Sequence, residues 1–291
     1  MKNALKMTAS ILKLRIAFFV TLAALIGILT AGGAMGGIEA SVFLLAVLGA
    51  SGAAGAFNQY FERDSDRLMV RTHNRPFACG TLKPSLIWPI TFGLLSVGAL
   101  LMGWSVGGTL ATLLVFLGAV TYAFLYTMWL KRSSVWNVVI GGASGSFAVL
   151  AGAAAAAPDF GPVFEPVPIL LAAALFLWTP PHFWALVAAK DGDYRRAGIP
   201  MLPVVSEHTV WGRIIFIHVF FLVIVSLSPL LYGLGPIYGV CAAIGGARFL
   251  QTSWVLMRNN DCEAAMITFR ASLLQFALLC LGVILDRVVA L

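Results

Sequence analysis

Asn58, Glu62 and Asp66 recur at four-residue intervals in the stretch AFNQYFERDSDRLMVRTHNRPFACG. On a helix this spacing stacks three side chains along one face over about 12 Å. An amide and two carboxylates are hard oxygen donors, suited to a magnesium ion that keeps waters and shares phosphate oxygens. Arg63, Arg67, Arg71 and Arg75 repeat at the same interval beside them, on a helix predicted to continue until Pro76 ends it. Their forked donors suit phosphate oxygens that the metal leaves uncovered. Together the two stripes describe a grip for a diphosphate. A solvated helix laced with acid–arginine pairs would show the same spacing. Depth separates the two readings: Asn58 and Glu62 come where a long apolar run has barely ended, and polar groups there are costly without partners.

A second constellation lies in LFLWTPPHFWALVAAKDGDYRRAGIPMLPVV. His182 sits inside an apolar run, directly after Pro180 and Pro181, with Trp178, Phe183 and Trp184 around it. The proline pair frees backbone groups and predicts a helix that bends or opens around a pocket. A neutral imidazole among aromatic faces could ligate the iron of a planar macrocycle such as haem; a hydrogen bond to a neighbouring helix fits the spacing equally well. The run then leaves through Lys190, Asp191, Asp193 and Tyr194. Asp66 and Asp193 hold corresponding places four runs apart, a pattern that points to a duplicated unit with substrate held between halves. His218 and Arg248 also fall within apolar runs; His218 reads as structural and Arg248 as close enough to a boundary to snorkel.

These residues need a scaffold, and composition decides its class. Hydrophobic residues make up 60% of the 291 and charged residues 11%, against roughly 25% charged in a soluble domain. With a mean hydropathy of +0.94, the chain lacks the polar surface to coat a water-soluble core, so it reads as an all-α integral membrane protein, a single domain spanning 1–291. Nine apolar runs can each cross a bilayer: 16–36, 40–57, 86–103, 108–129, 135–157, 169–189, 213–232, 236–257 and 268–290. Lys2, Lys6, Lys13 and Arg15 before the first, and small residues such as Ala34 within it, resemble a signal peptide, but the run is too long for one. All Lys and Arg except Arg287 fall on one side of a nine-span arrangement, while Glu39, Asp159 and Glu165 fall on the other. This predicts a cytoplasmic amino terminus and an outside carboxyl terminus. The net charge of +7 is then topological charge and implies no nucleic-acid partner. Cys79, Cys241, Cys262 and Cys280 show neither metal spacing nor a disulfide framework. Two connections, about 58–85 and 190–212, are long and acidic, and chemistry is expected there.

At this point the residues resemble a family. Asn-x-x-x-Glu-x-x-x-Asp after the second of nine runs, with an acidic loop after the sixth, looks like the UbiA superfamily of intramembrane prenyltransferases. Within it, several stretches resemble the protoheme IX farnesyltransferases (haem O synthases): Met69-x-Arg71-Thr72-x-Asn74-Arg75-Pro76, Tyr126-Thr127-x-x-Leu130-Lys131-Arg132, Trp178-Thr179-Pro180-Pro181-His182-Phe183-Trp184, and Asp193-Tyr194-Arg195-Arg196 continuing to Pro203. The resemblance implies a UbiA-like bundle with a central cavity open to the cytoplasm, in a bacterial cytoplasmic membrane. It implies transfer of farnesyl from farnesyl diphosphate to haem B, with Mg2+ as cofactor and a haem A synthase or terminal oxidase assembly as partner. Asn58, Glu62, Asp66 and Asp193 would be catalytic, the metal held by these and Asp191. Arg67, Arg71, Arg75, Lys131 and Lys190 would bind diphosphate, and His182, Trp178 and Trp184 haem. Asp191 and Asp193 depart from the superfamily's Asp-x-x-x-Asp spacing. The nearest rival is a UbiA enzyme acting on an aromatic acid or a chlorophyllide, for which the aromatic-flanked His182 discriminates. A transporter would need polar groups spread through the membrane depth, which the sequence lacks.

Overall fold

The computed structural model describes residues 2–33, 35–157 and 161–289; Ala34, Asp159 and the last residue of the ninth run, Ala290, lie outside them. Among the described residues all regular structure is helical. The order is α1 (Lys2–Ile11), α2 (Leu14–Thr30), α3 (Gly37–Phe61), α4 (Arg63–Arg67) and α5 (Ile87–Val120), which runs through π-helical turns (Thr121–Leu130) into α6 (Lys131–Ser133). Then come α7 (Asn137–Ala156), α8 (Pro166–Ala189), α9 (Asp191–Arg196), α10 (Leu202–Val205), α11 (His208–Leu227), α12 (Pro236–Arg258) and α13 (Cys262–Val289). Seven helical segments are long and apolar enough to cross a membrane, and α1 with α2, bent by 56°, makes an eighth.

The third and fourth predicted runs fall in one helical stretch, Ile87–Ser133, of 47 residues. Straight, it would extend about 70 Å, more than twice a hydrocarbon core. It is not straight. Gly108 has φ 76° and ψ −175°, a conformation that requires glycine. A methyl on Gly103 would stand 3.8 Å from Thr112 Oγ1, although nine residues of continuous helix would separate the two positions by about 13 Å. The chain therefore turns back on itself at Gly108.

Because lipid is as apolar as leucine, helices in a membrane associate through close backbone approach at small residues. The α2–α7 contact has this form: a Cβ on Gly27 would lie 2.0 Å from Val149 O, and one on Gly152 1.9 Å from Ala24 O. Large apolar side chains such as Ile38, Leu86 and Leu231 point outward.

The sixth run does not open at its proline pair. α8 continues through Pro180 and Pro181, although an interior proline costs a helix about 3 kcal/mol. Its neighbours hold it: Trp178 Nε1 donates to Ser272 O of α13 at 2.8 Å, and Gly142 of α7 lets Thr179 approach closely.

Candidate active site

Asn58 lies on the last turn of α3, and the helical hydrogen-bond ladder crosses the junction to α4. Glu62 N–H donates to Asn58 O at 2.9 Å, and Asp66 N–H to Glu62 O at 2.8 Å. The oxygen stripe therefore forms. Its side chains are not splayed to solvent, because Asn58, Glu62 and Asp66 are only 1%, 2% and 3% exposed.

The arginine stripe does not form as predicted, since the helix stops at Arg67 instead of continuing to Pro76. Val70, Thr72, His73 and Asn74 are weak helix formers, and a distant carboxylate offers their backbone something better. Val70 N–H and Arg71 N–H donate to Asp193 Oδ1 and Oδ2 at 3.0 and 3.1 Å, which docks the second long loop on the first. The resulting turn brings Arg75 back, so that its Nη1 meets Asp66 Oδ2 at 2.7 Å. Arg67 instead donates to Ala78 O at 2.8 Å, and Arg71 reaches only the Tyr194 hydroxyl, at 3.5 Å. Lys190 is exposed, and Asp191 pairs with Arg195 at 2.6 Å near the surface. Neither joins the buried group.

Each buried oxygen side chain of the stripe faces a cation. Lys131 pairs with Glu62, Arg75 with Asp66, and Lys13 Nζ donates to Asn58 Oδ1 and reaches the Tyr122 hydroxyl at 3.3 Å. In the sequence Lys13 reads only as topological charge. It stands at the α1–α2 break with φ 47° and ψ 46°, the single non-glycine residue with positive φ among those described. Strain of this kind, about 1–3 kcal/mol, persists where surrounding contacts over-determine it.

The π-helical turns supply residues that no spacing argument found. Thr127 Oγ1 donates to Tyr122 O, five residues back, at 2.8 Å, and accepts from Asn58 Nδ2 at 2.9 Å. Tyr122 and Tyr126 stack with centroids 5.7 Å apart, and Lys131 Nζ lies 5.6 Å from the Tyr126 ring centre. Wide turns of this type gather at functional sites. Tyr126 and Thr127 belong to a motif seen in the sequence; the register that turns them toward α3 is not readable there.

Among the described residues no three His, Cys, Asp or Glu side chains converge to enclose a metal by themselves, and both Asp193 oxygens are committed to backbone donors. The set Asn58, Glu62 and Asp66 nonetheless fits magnesium. It offers two buried carboxylates and an amide oxygen on one helical face, to a cation that takes its remaining ligands from water and phosphate.

His182 is buried two turns inside α8. Trp178, one turn earlier on the same face, stacks on it at 4.1 Å, Phe269 lies at 4.7 Å, and Nδ1 meets Ser272 Oγ at 2.7 Å. The hydrogen bond to a neighbouring helix is thus present, and Nε2 remains for another partner. Trp184, two residues on and hence on another side of the helix, does not flank His182. It meets His218 edge-on at 5.1 Å.

Burial alone would raise the Glu62 carboxyl; Lys131 and Lys13 outweigh it and hold it below its usual value. Burial would likewise raise Asp193, but the N–H groups of Arg71 and Val70, with Arg196, hold it below the ordinary aspartate value of 3.8. A depressed folded-state pKa gives stability that is complete above the unfolded value and lost as pH falls through the folded one. Docking of the two loops should therefore persist at neutral pH and fail on acidification below about pH 4. In melting curves of the purified protein across that window, Asp193→Asn should lower the neutral melting temperature and flatten its acid dependence. An unchanged acid limb would reject the docking role.

Residues 17–279 match the UbiA prenyltransferase family. The chain belongs to this family. It is a multi-pass membrane prenyltransferase, consistent with the eight apolar helical segments. This UbiA family member is 48% identical over 287 residues to Protoheme IX farnesyltransferase 2 of Paramagnetospirillum magneticum, covering 98% of each chain. It is 35% identical to Protoheme IX farnesyltransferase of Granulibacter bethesdensis, covering 96% of this chain and 90% of that one. Among solved structures it is similar to a digeranylgeranylglyceryl phosphate synthase (TM-score 0.75, 18% identity, 99% of each chain). It is also similar to a UbiA homolog from Archaeoglobus fulgidus bound to GPP and Mg2+ (TM-score 0.68, 15% identity, 94% of this chain and 99% of that one). At those identities the structural likeness establishes the fold.

Proposed function

We propose that this UbiA family member joins the farnesyl group of farnesyl diphosphate to a vinyl carbon of haem B. Water adds to leave a hydroxyethylfarnesyl chain, the product is haem O, and diphosphate departs. The observation that carries the reading is the 48% identity, over 98% of both chains, to a protoheme IX farnesyltransferase.

Asn58, Glu62 and Asp66 would hold magnesium, which when bound neutralises charge on the departing diphosphate. Lys13, Lys131 and Arg75 now balance the stripe. Their donors would also suit phosphate oxygens, where preorganised charge favours ionisation. Asp193 acts at one remove, fixing the loop from which Arg75 reaches back. Tyr122 and Tyr126 present faces that stabilise an allylic cation by about 1–2 kcal/mol, and the apolar bundle keeps water from it. His182 Nε2 and the Trp178 face would orient haem, the Ser272 bond fixing which ring nitrogen is available. Product would pass to a haem A synthase or terminal oxidase assembly.

The Gly108 reversal supports nine crossings, and the bias of Lys and Arg to one side supports a bacterial cytoplasmic membrane with the amino terminus inside and the carboxyl terminus outside. The cavity would open to the cytoplasm beneath the docked loops.

Extraction of haems from cells expressing the chain, with mass analysis, should yield a farnesylated haem; a prenylated phenol would mark a different UbiA acceptor. His182→Ala should lose the haem absorption change while retaining farnesyl diphosphate binding, and an unaltered haem spectrum would end the His182 assignment.

A further inference from the structure

The adjoining ends of α12 and α13 enclose a groove of about 280 Å³, lined by Arg248, Gln251, Val255, Asp261, Glu263 and Ile267. It lies at the same end of the bundle as the active site, for Cys262 Sγ is 4.0 Å from Ala188 O and His208 Nε2 is 2.9 Å from Leu256 O. Arg248 is ten residues inside the end of an apolar helix and exposed on its outer surface. Its Nη1 donates to Gln251 Oε1 at 2.9 Å, yet among the described residues no acid lies within ion-pair distance of it. A charge on a lipid-facing helix surface is costly unless something outside the chain answers it.

Depth identifies what that is. Trp254 is 41% exposed and carries the Arg258 guanidinium 4.5 Å from its ring centre, the signature of a residue at the membrane interface. Arg248 lies six residues deeper, about 9 Å, and a snorkelling side chain recovers about 6 Å of that. Its guanidinium then stands near the glycerol–phosphate level of the leaflet. Asp261 and Glu263 occupy the outer rim of the same groove. Asp261 Oδ1 accepts the Ala264 N–H at 2.7 Å, which caps α13, while Glu263 has no cationic partner among the described residues. The groove is thus positive at depth and negative at its mouth.

We propose that this groove binds phosphatidylethanolamine, its phosphate on Arg248 and Gln251 and its primary ammonium on Glu263 and Asp261. The order of charge with depth is that of this headgroup. Phosphatidylglycerol offers the phosphate but only neutral hydroxyls, and no cation, to the two carboxylates, and the quaternary ammonium of phosphatidylcholine has no N–H to donate. The site is separate from the prenyl-transfer site and stands whether or not that reading holds.

The test is native mass spectrometry of the full-length chain in detergent, titrated with lipids of identical acyl chains. Phosphatidylethanolamine should bind about tenfold more tightly than phosphatidylcholine, as the loss of charge-assisted hydrogen bonds implies, with affinity falling stepwise through the N-methyl and N,N-dimethyl headgroups. Glu263→Gln should reduce the preference severalfold, Asp261 remaining, while leaving phosphate binding; Arg248→Leu should weaken all headgroups alike, and Arg248→Lys should restore most of the loss, separating lost charge from lost fold. Equal binding of phosphatidylethanolamine and phosphatidylcholine, tighter binding of phosphatidylglycerol, or an intact preference in Glu263→Gln would each overturn the proposal.

Discussion

Asp66→Asn is expected to lower prenyl transfer about a thousandfold, or about 4 kcal/mol in transition-state stabilisation, while the protein still folds in the membrane. The substitution keeps the shape of the side chain and an oxygen for Arg75, whose Nη1 lies 2.7 Å from the carboxylate. It removes one of the two buried negative charges on the oxygen stripe, and with it most of the attraction for a divalent cation. The loss should appear mainly in kcat, because charge on the leaving diphosphate grows as the allylic bond breaks. The control is close by: Asp64, two residues earlier, is 66% exposed and makes only surface contacts with Arg63 and Arg67 at 3.8 and 3.6 Å. Asp64→Asn should be near neutral, as exposed pairs usually are. Rates of prenylated product formation in membranes holding equal amounts of each variant decide the matter; near-normal turnover in Asp66→Asn would remove the metal from the mechanism.

Gly152→Ala is expected to be among the most damaging single methyls in the bundle. The added Cβ would lie 1.9 Å from Ala24 O and 2.8 Å from the carbonyl carbon. Those are backbone atoms of α2, so no rotamer relieves the clash and the two helices must separate. Overpacking of this sort exceeds the usual 1–3 kcal/mol for added methylenes, and about 4–5 kcal/mol is expected. Gly98→Ala has open space around it and should be neutral or slightly stabilising through helix propensity. Membrane accumulation and melting temperature in detergent should separate the two; comparable behaviour would show that α2 and α7 do not pack as described.

Much of the scaffold is legible in the sequence. The run 236–257 against α12 at Pro236–Arg258, and 135–157 against α7 at Asn137–Ala156, agree within a residue or two, because hydropathy and helix breakers act locally. The oxygen stripe was readable for the same reason: four-residue spacing on a helix is a local geometric fact. The fate of the arginines was not. Whether the chain after Asp66 continued as helix depended on a carboxylate 123 residues away, against local helix preferences worth only tenths of a kcal/mol per residue.

From its sequence alone this protein is fixed as a helical membrane protein whose buried acids stand at the end of one span, since composition and periodicity need no knowledge of neighbours. Its tertiary structure decided which cations face those acids. Lys13 enters through its own left-handed backbone at a helix break, Arg75 returns through a turn held by Asp193, and Thr127 meets Asn58 from a π-helical segment. Tertiary structure also kept α8 unbroken through two prolines. In each case contacts between residues far apart in sequence outweighed the local preference, and such contacts exist only once the helices have packed.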